Sequence, residues 1–281
     1  MSSTPSTLGI LNPHDGFSRF ALERYAPGPA LAPFLDSYWS VRWDLRNEPP
    51  FEQEILPHPC VNLAFELERS AVHGPGTRRF VAHLSGAGRV LGVKFKAAGF
   101  LPFTRLPLTA LVDRVLPIDE AFGRDKSRVQ ALIDSVLEGQ DPLRNIALIE
   151  AFLSESEPLR DADFELVEQL VALARADRAI RRAEQLARVA SLSVRSLHRI
   201  FERHVGVGPK WIICRSRVQE AAERVASGNQ VDWAALAQEL GYHDQSHLVR
   251  DFKDQVGFTP AAYAARCKAA ARAGLGSPKW P

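Results

Sequence analysis

Three side chains between positions 195 and 199 have the chemistry to contact nucleic-acid bases. At about 100° per residue, Arg195, His198 and Arg199 share one side of a helix. A guanidinium group can donate two hydrogen bonds to the O6 and N7 atoms of guanine, and an imidazole can donate or accept one. The same residues could instead form the solvated side of an ordinary amphipathic helix. The elements that carry them therefore decide between the two interpretations.

The residues around this cluster predict two short helices packed against each other. Ser193 is a suitable N-cap for the helix that carries the arginines. The opposite side of that helix is apolar (Val194, Leu197, Ile200 and Phe201). The preceding segment supplies a matching apolar set (Leu186, Ala187, Val189 and Ala190). This arrangement is a helix-turn-helix with one basic face left uncovered.

The pattern occurs twice in the chain. Five pairs of residues are separated by 51 positions: Leu197 and Leu248, Arg199 and Arg250, Phe201 and Phe252, Gly206 and Gly257, Pro209 and Pro260. Leu186 and Leu236 are separated by 50, so the second copy has one extra residue in its turn. A duplicated helix-turn-helix favours a role in binding over a plain solvated surface.

These residues resemble the DNA-binding domain of the AraC/XylS family of bacterial transcription regulators. The first copy matches the family pattern Leu-Ala-x-x-Ala-x-x-Ser-x-Arg-x-Leu-x-Arg-x-Phe, and the second matches Ser-x-Leu-x-Arg-x-Phe-Lys followed by Gly-x-x-Pro. The resemblance covers about residues 163–267 and includes a long connecting helix from Pro209 to about Ser227. It implies two recognition helices that enter successive major grooves of double-stranded DNA.

The resemblance also implies which side chains contact bases. They are Arg195, His198 and Arg199 in the first helix and Gln245, Ser246, Val249 and Arg250 in the second. Val249 could contact a thymine methyl group, and Gln245 could pair with adenine. Because the carboxylate of Asp251 would repel phosphates if it faced them, the second helix is expected to bind more weakly.

The length of the chain and the distribution of its charge predict two parts that differ in net charge. The chain has 281 residues and a formal net charge of +2. Residues 1–159 carry a net charge of −3 and residues 160–281 a net charge of +5, which suits a polyanionic partner for the C-terminal half. The predicted division is a β-rich domain (1–125), a helical linker (126–162), the dual helix-turn-helix domain (163–267) and a disordered tail (268–281).

The N-terminal part is predicted to be an antiparallel β-rich domain with flanking helices. Apolar residues recur with period two from Val61 to Leu67, and frequent Pro and Gly residues indicate turns between short strands. From Leu106 onward the apolar spacing becomes helical. The predicted fold class is therefore α+β, with an all-α C-terminal domain in which a long helix joins the two helix-turn-helix motifs.

A sensor or dimerisation role for the N-terminal domain follows from the resemblance. Three of its segments are similar to an uncharacterised N-terminal domain found in such regulators (residues 56–63, 92–95 and 99–103). The candidate residues for binding a small-molecule effector are Trp39, Trp43, His58, Asn62 and Phe95. Aromatic residues at strand spacing are nevertheless more often plain core.

An enzymatic N-terminal domain is the alternative hypothesis. Four side chains could bind a metal ion (His58, Cys60, His73 and His83), but they lack the paired spacing of a metal site, so no metal or cofactor is predicted. An alkyl-accepting domain would need an activated cysteine, and Cys60 has no basic cluster near it in sequence. No nucleophilic triad or phosphate loop stands out, and no enzyme activity is predicted.

The cysteines and the N-terminal sequence bear on location. Three scattered cysteines suit a reducing compartment (Cys60, Cys214 and Cys267), and no signal peptide or long apolar segment is present. We expect a cytoplasmic protein without membrane contact. The expected partners are double-stranded DNA, a small-molecule effector, a second copy of the chain in a homodimer, and RNA polymerase. The operator, the effector and the sign of regulation stay open.

Overall fold

Eight strands build the N-terminal half of the computed structural model, which describes residues 9–227 and 231–272. They are β1 (Phe20–Tyr25), β2 (Leu35–Leu45), β3 (Phe51–Ile55), β4 (Asn62–Glu66), β5 (Ala71–His73), β6 (Phe80–Leu84), β7 (Gly86–Phe95) and β8 (Val115–Leu116). Six of them form one antiparallel sheet in the order β1-β2-β7-β4-β5-β8, and β3 pairs with β6 in a second sheet. The predicted antiparallel β-rich domain is confirmed.

The two faces of the larger sheet have different environments because side chains alternate along each strand. On β2, Tyr38 faces the main core, whereas Trp39 and Trp43 face the other side. Each indole lies against a glycine of β7. A Cβ atom at Gly92 would come within 2.0 Å of the Trp39 ring, and one at Gly88 within 2.3 Å of the Trp43 ring, so both positions need glycine.

One helix of the N-terminal half, α1 (Pro13–Arg19), precedes β1. Three more follow the last strand: α2 (Ile118–Phe122), α3 (Lys126–Glu138) and α4 (Pro142–Ser154). Apolar residues of α3 and α4 belong to the same core as the sheet. The Glu150 carboxylate of α4 accepts hydrogen bonds from the Gly28 amide (2.7 Å) and the Tyr38 hydroxyl (3.3 Å). The range 126–162, predicted as a linker, therefore contains helices that pack against the sheet.

The C-terminal half consists of helices joined by short turns. They are α5 (Phe164–Ala176), α6 (Ala183–Val189), α7 (Val194–His204), α8 (Pro209–Ala226), α9 (Trp233–Glu239), α10 (Gln245–Val256) and α11 (Pro260–Arg272). The pairs α6–α7 and α9–α10 are the two helix-turn-helix motifs, and α8 connects them. Ser193 caps α7 as predicted, because its hydroxyl accepts a hydrogen bond from the Ser196 amide (3.0 Å).

Two sequence expectations about local structure are wrong. The helical spacing from Leu108 to Val115 produces only a four-residue 3-10 helix (Leu108–Leu111), since Val115 instead pairs with His73 in β8. Residues 268–272 of the predicted disordered tail continue α11 as helix, and residues 273–281 lie outside the described residues. Among the described helices, none is long and apolar enough to cross a membrane.

The two halves share their hydrophobic cores. One core extends from the sheet into α5, α6, α7 and the start of α8, and the rings of Phe34 and Phe164 lie 5.6 Å apart within it. In a second core, Leu11 and Leu56 of the N-terminal half pack among apolar residues of α8–α11. The Glu168 carboxylate of α5 also accepts a hydrogen bond from the Ala98 amide (2.6 Å). The halves are therefore packed together over several elements.

A buried arginine in α8 adds polar contacts to this interface. Arg215 is 3% exposed, and its Nε donates to the carbonyl oxygen of Pro57 (2.6 Å). Its Nη2 lies 3.1 Å from His58 Nδ1, and Nη1 bonds to Gln219 Oε1. Since arginine only donates, His58 Nδ1 accepts and carries no proton here. Burial lowers the pKa of Arg215 to about 10, so the group stays charged at neutral pH.

Candidate nucleic-acid interface

The uncovered face of α7 carries the side chains predicted to contact bases. Leu197, Ile200 and Phe201 are buried against the rest of the domain, so the opposite side faces solvent. That side lines an open hollow on the protein surface (Arg195, Ser196, His198, Arg199 and Glu202). The geometry leaves this face free to contact a partner.

The arginines of this face have no internal counterion. Arg195 and Arg199 form no ion pair or side-chain hydrogen bond with any residue in the described ranges. Some other arginines of the domain are paired: Arg203 contacts Asp161 (2.9 Å), and Arg224 contacts Glu220 (2.9 Å). A guanidinium without an internal acceptor can offer its donors to guanine or phosphate oxygens.

The exposed face of α10 repeats this arrangement. Asp244 caps the helix by accepting a hydrogen bond from the His247 amide (2.9 Å). Gln245, Ser246 and Arg250 are exposed, Val249 is half-buried, and Leu248 and Phe252 are buried beneath them. Arg250 forms no ion pair within the described part of the chain. Both copies thus present an arginine at the same position of their second helix.

Asp251 does not lie on the exposed face of α10. Its carboxylate accepts a hydrogen bond from the Cys214 thiol of α8 (2.9 Å). Burial and this hydrogen bond raise the pKa of Cys214 to about 12, so the thiol keeps the proton it donates. The carboxylate is therefore directed toward α8, and the reason to expect weaker DNA binding by the second helix is removed.

Sequence reasoning missed three exposed residues on these faces. Glu202 follows Arg195 by seven positions, and the series i, i+3, i+4, i+7 would have included it. The 51-residue offset relates Ser196 to His247 and Glu202 to Lys253, and both His247 and Lys253 are exposed. The repeat itself was thus the signal that could have identified them.

The contact between the linker and α7 is held by a histidine and a carboxylate. His204 is buried at the end of α7, with Nδ1 2.9 Å from the Ile200 carbonyl and Nε2 2.9 Å from the Asp161 carboxylate. Both ring nitrogens therefore lie within hydrogen-bonding distance of an oxygen atom. Burial opposes the charge of Asp161, but the hydrogen bond from His204 and the charges of His204 and Arg203 keep its pKa below the usual value.

The five candidate effector residues do not come together in one site. Trp43 is buried on one face of the larger sheet, with Nε1 donating to the Ser85 carbonyl (3.1 Å), and Trp39 lies on the same face. Phe95 belongs to the core on the opposite face. His58 bonds to Arg215, and Asn62 Nδ2 lies 3.8 Å from the Cys60 thiol.

The candidate metal ligands of the N-terminal half are also dispersed. The His73 ring meets the Phe80 ring edge to face, with centroids 5.9 Å apart, and His83 Nδ1 lies 3.2 Å from the Glu52 carboxylate. Burial raises the pKa of Cys60 despite the nearby charges of Lys94 and Arg215, so the site provides no activated thiolate. Within the described ranges, the group with converging ligand atoms is instead exposed around the start of α10 (His243, Asp244 and His247).

Two family models match separate stretches of the chain. Residues 186–266 match a family model described as a helix-turn-helix domain, and residues 23–117 match a domain of unknown function, DUF6597. An uncharacterised HTH-type transcriptional regulator of Haemophilus influenzae is 31% identical over 101 residues, which are 36% of this chain and 34% of that protein. The chain thus spans about a third of the length of this curated relative.

Two solved structures show limited similarity to the chain. A probable AraC family transcriptional regulator from Rhodopseudomonas palustris is 25% identical, with 37% of this chain and 97% of that chain covered and a TM-score of 0.33. ToxT from Vibrio cholerae is 12% identical, with 88% and 98% covered and a TM-score of 0.40. Residues 186–266 thus match a helix-turn-helix domain, and the two motifs in register at an offset of 51 residues agree with the resemblance of this part of the chain to the AraC/XylS family.

Proposed function

We propose that this protein is a transcription regulator that binds a specific double-stranded DNA sequence with α7 and α10. The observation that carries the proposal is the repeated placement of exposed arginines that have no counterion among the described residues. Arg199 and Arg250 occupy equivalent positions of the two second helices, with Arg195 one turn before Arg199. Arginine paired with a guanine edge is the commonest specific contact in the major groove.

The connecting helix supports a two-groove arrangement. With 18 residues, α8 is about 27 Å long, which is of the same order as the ~34 Å between successive major grooves on one side of a duplex. Its packing against α5, α10 and α11 fixes it as part of a frame. One molecule would then cover two half-sites about one helical turn apart.

The N-terminal half is proposed to control this binding in response to a small molecule. Pro57 and His58 contact α8 through Arg215, and α8 joins the two helix-turn-helix motifs. A ligand that displaces this loop would change the support of both helices at once. A homodimer and a contact with RNA polymerase are further parts of the proposal.

Selection from a randomised duplex library with the full-length protein tests DNA recognition. The expected result is two enriched sequence blocks about one helical turn apart. A library without enrichment would overturn the proposal. For the effector, metabolites can be screened for a rise in melting temperature, because a ligand of the folded state stabilises it by RT ln(1 + [L]/Kd). If every metabolite class leaves the melting temperature unchanged, dimerisation becomes the favoured role for the N-terminal half.

A further inference from the structure

One acidic side chain on the α7 face is not explained by the contacts described so far. Glu202 is exposed and lines the same hollow as Arg195, His198 and Arg199. It forms no ion pair or hydrogen bond with residues in the described part of the chain. The next residue, Arg203, pairs with Asp161 at the linker, whereas Glu202 belongs to the side that the hollow occupies.

A carboxylate at this place is unfavourable unless it has a specific partner. Near DNA it would be repelled by the phosphates, because like charges in close approach raise the free energy of the complex. Within the major groove, an acceptor can be satisfied by an exocyclic amine, and glutamate pairs with the N4 amine of cytosine. The carboxylate of Glu202 would therefore weaken binding to most DNA sequences but not to a sequence that places such an amine beside it.

We propose that Glu202 is a specificity-determining residue that accepts a hydrogen bond from a cytosine N4 amine in the operator. The inference rests on the proposed function of α7 as a recognition helix. Glu202 follows Arg199 by three residues, or about 4.5 Å along the helix axis. One base-pair step is about 3.4 Å. The cytosine is therefore expected in the base pair contacted by Arg199 or in the neighbouring one.

The second helix-turn-helix carries the opposite charge at the equivalent position. Lys253 lies 51 residues after Glu202, is exposed, and forms no ion pair in the described ranges. An ammonium group only donates, so Lys253 can contact guanine or a phosphate but not a cytosine amine. The two half-sites are therefore chemically different, and the protein binds its operator in one orientation.

Selection with three full-length proteins tests this assignment: the wild type, Glu202→Ala and Glu184→Ala. Glutamine would keep an acceptor oxygen, whereas alanine removes both the acceptor and the charge. Glu184 is exposed in the first turn of α6 and has no partner among described residues, so its variant removes the same group away from the hollow. We expect Glu202→Ala to lower the preference for cytosine at one position by about fivefold or more. Glu184→Ala should leave the base preferences at every position unchanged.

The outcomes separate this inference from the proposed function. A wild-type selection without enrichment would overturn the proposed function itself. If the wild type gives a motif and Glu202→Ala gives the same motif, with affinity raised equally on all sequences, Glu202 is only a repulsive charge and the inference is wrong. A loss of preference confined to one cytosine column supports it. Because Glu202 makes no internal contact, the melting temperature of the variant should match that of the wild type.

Discussion

Replacing Arg215 by alanine tests whether the interface between the two halves stabilises the protein. Its lowered pKa of about 10 corresponds to a burial cost of about 3 kcal/mol. Against this cost, each of its three hydrogen bonds contributes about 1.5–3 kcal/mol because the donor is charged. The three bonds together contribute about 4.5–9 kcal/mol. The net stabilisation is therefore about 1.5–6 kcal/mol, and Arg215→Ala should lower the free energy of unfolding by that amount.

Urea unfolding of the full-length protein measures this effect, provided that fluorescence and circular dichroism give coincident transitions. Arg188→Ala is the matched control, since Arg188 is exposed and without a counterion in the described residues, and its effect should stay within about 0.5 kcal/mol. An Arg215→Ala variant as stable as the wild type would refute the reasoning. It would mean that the cost of burying the charge cancels its hydrogen bonds.

Four further predictions concern DNA contacts, pH and thiol reactivity. Arg199→Ala should weaken binding by about 1–3 kcal/mol and relax the preference at one base position in fluorescence-anisotropy titrations, whereas equal weakening on all duplexes would make it a phosphate contact. Arg250→Ala should have a comparable effect in the same assay, because Asp251 faces α8 rather than DNA; an effect limited to salt dependence would contradict this. Because the pKa of Asp161 is lowered in the folded state, its contribution to stability is complete above about pH 4 and is lost as the pH falls through the folded-state pKa. In Asp161→Asn, the free energy of unfolding should therefore vary less with pH on the acid side. Burial raises the pKa of Cys60, so native protein should resist iodoacetamide at this residue while urea-unfolded protein reacts, as peptide mass spectrometry can show.

The C-terminal half could be predicted well because the residues that define its helices lie close together in sequence and occur in two copies. The N-cap at Ser193, the apolar faces and the 51-residue offset all lie within short stretches of sequence, and the structure has the corresponding helices. The inward direction of Asp251 could not be predicted from the same stretches. It depends on Cys214, which is 37 residues away.

The N-terminal half was harder to predict because its pairings are distant in sequence. β8 has two residues and pairs with β5 more than 40 positions earlier, so its apolar residues showed a helical spacing by coincidence. No sequence pattern indicated that Arg215 would be buried against Pro57 and His58. The dispersal of Trp39 and Phe95 to opposite faces of the sheet likewise depends on strand register, which composition does not reveal.

The cores shared by both halves limit how the chain can be divided. A fragment beginning near residue 163 would lose Leu11 and Leu56 from one core and Phe34 from the other, leaving the apolar residues that they cover in contact with water. It would also leave the Arg215 side chain without its two acceptors in the N-terminal half. The boundary visible in sequence is therefore not a boundary of autonomous folding, and a truncated C-terminal fragment should be aggregation-prone where the intact chain unfolds in a single cooperative transition.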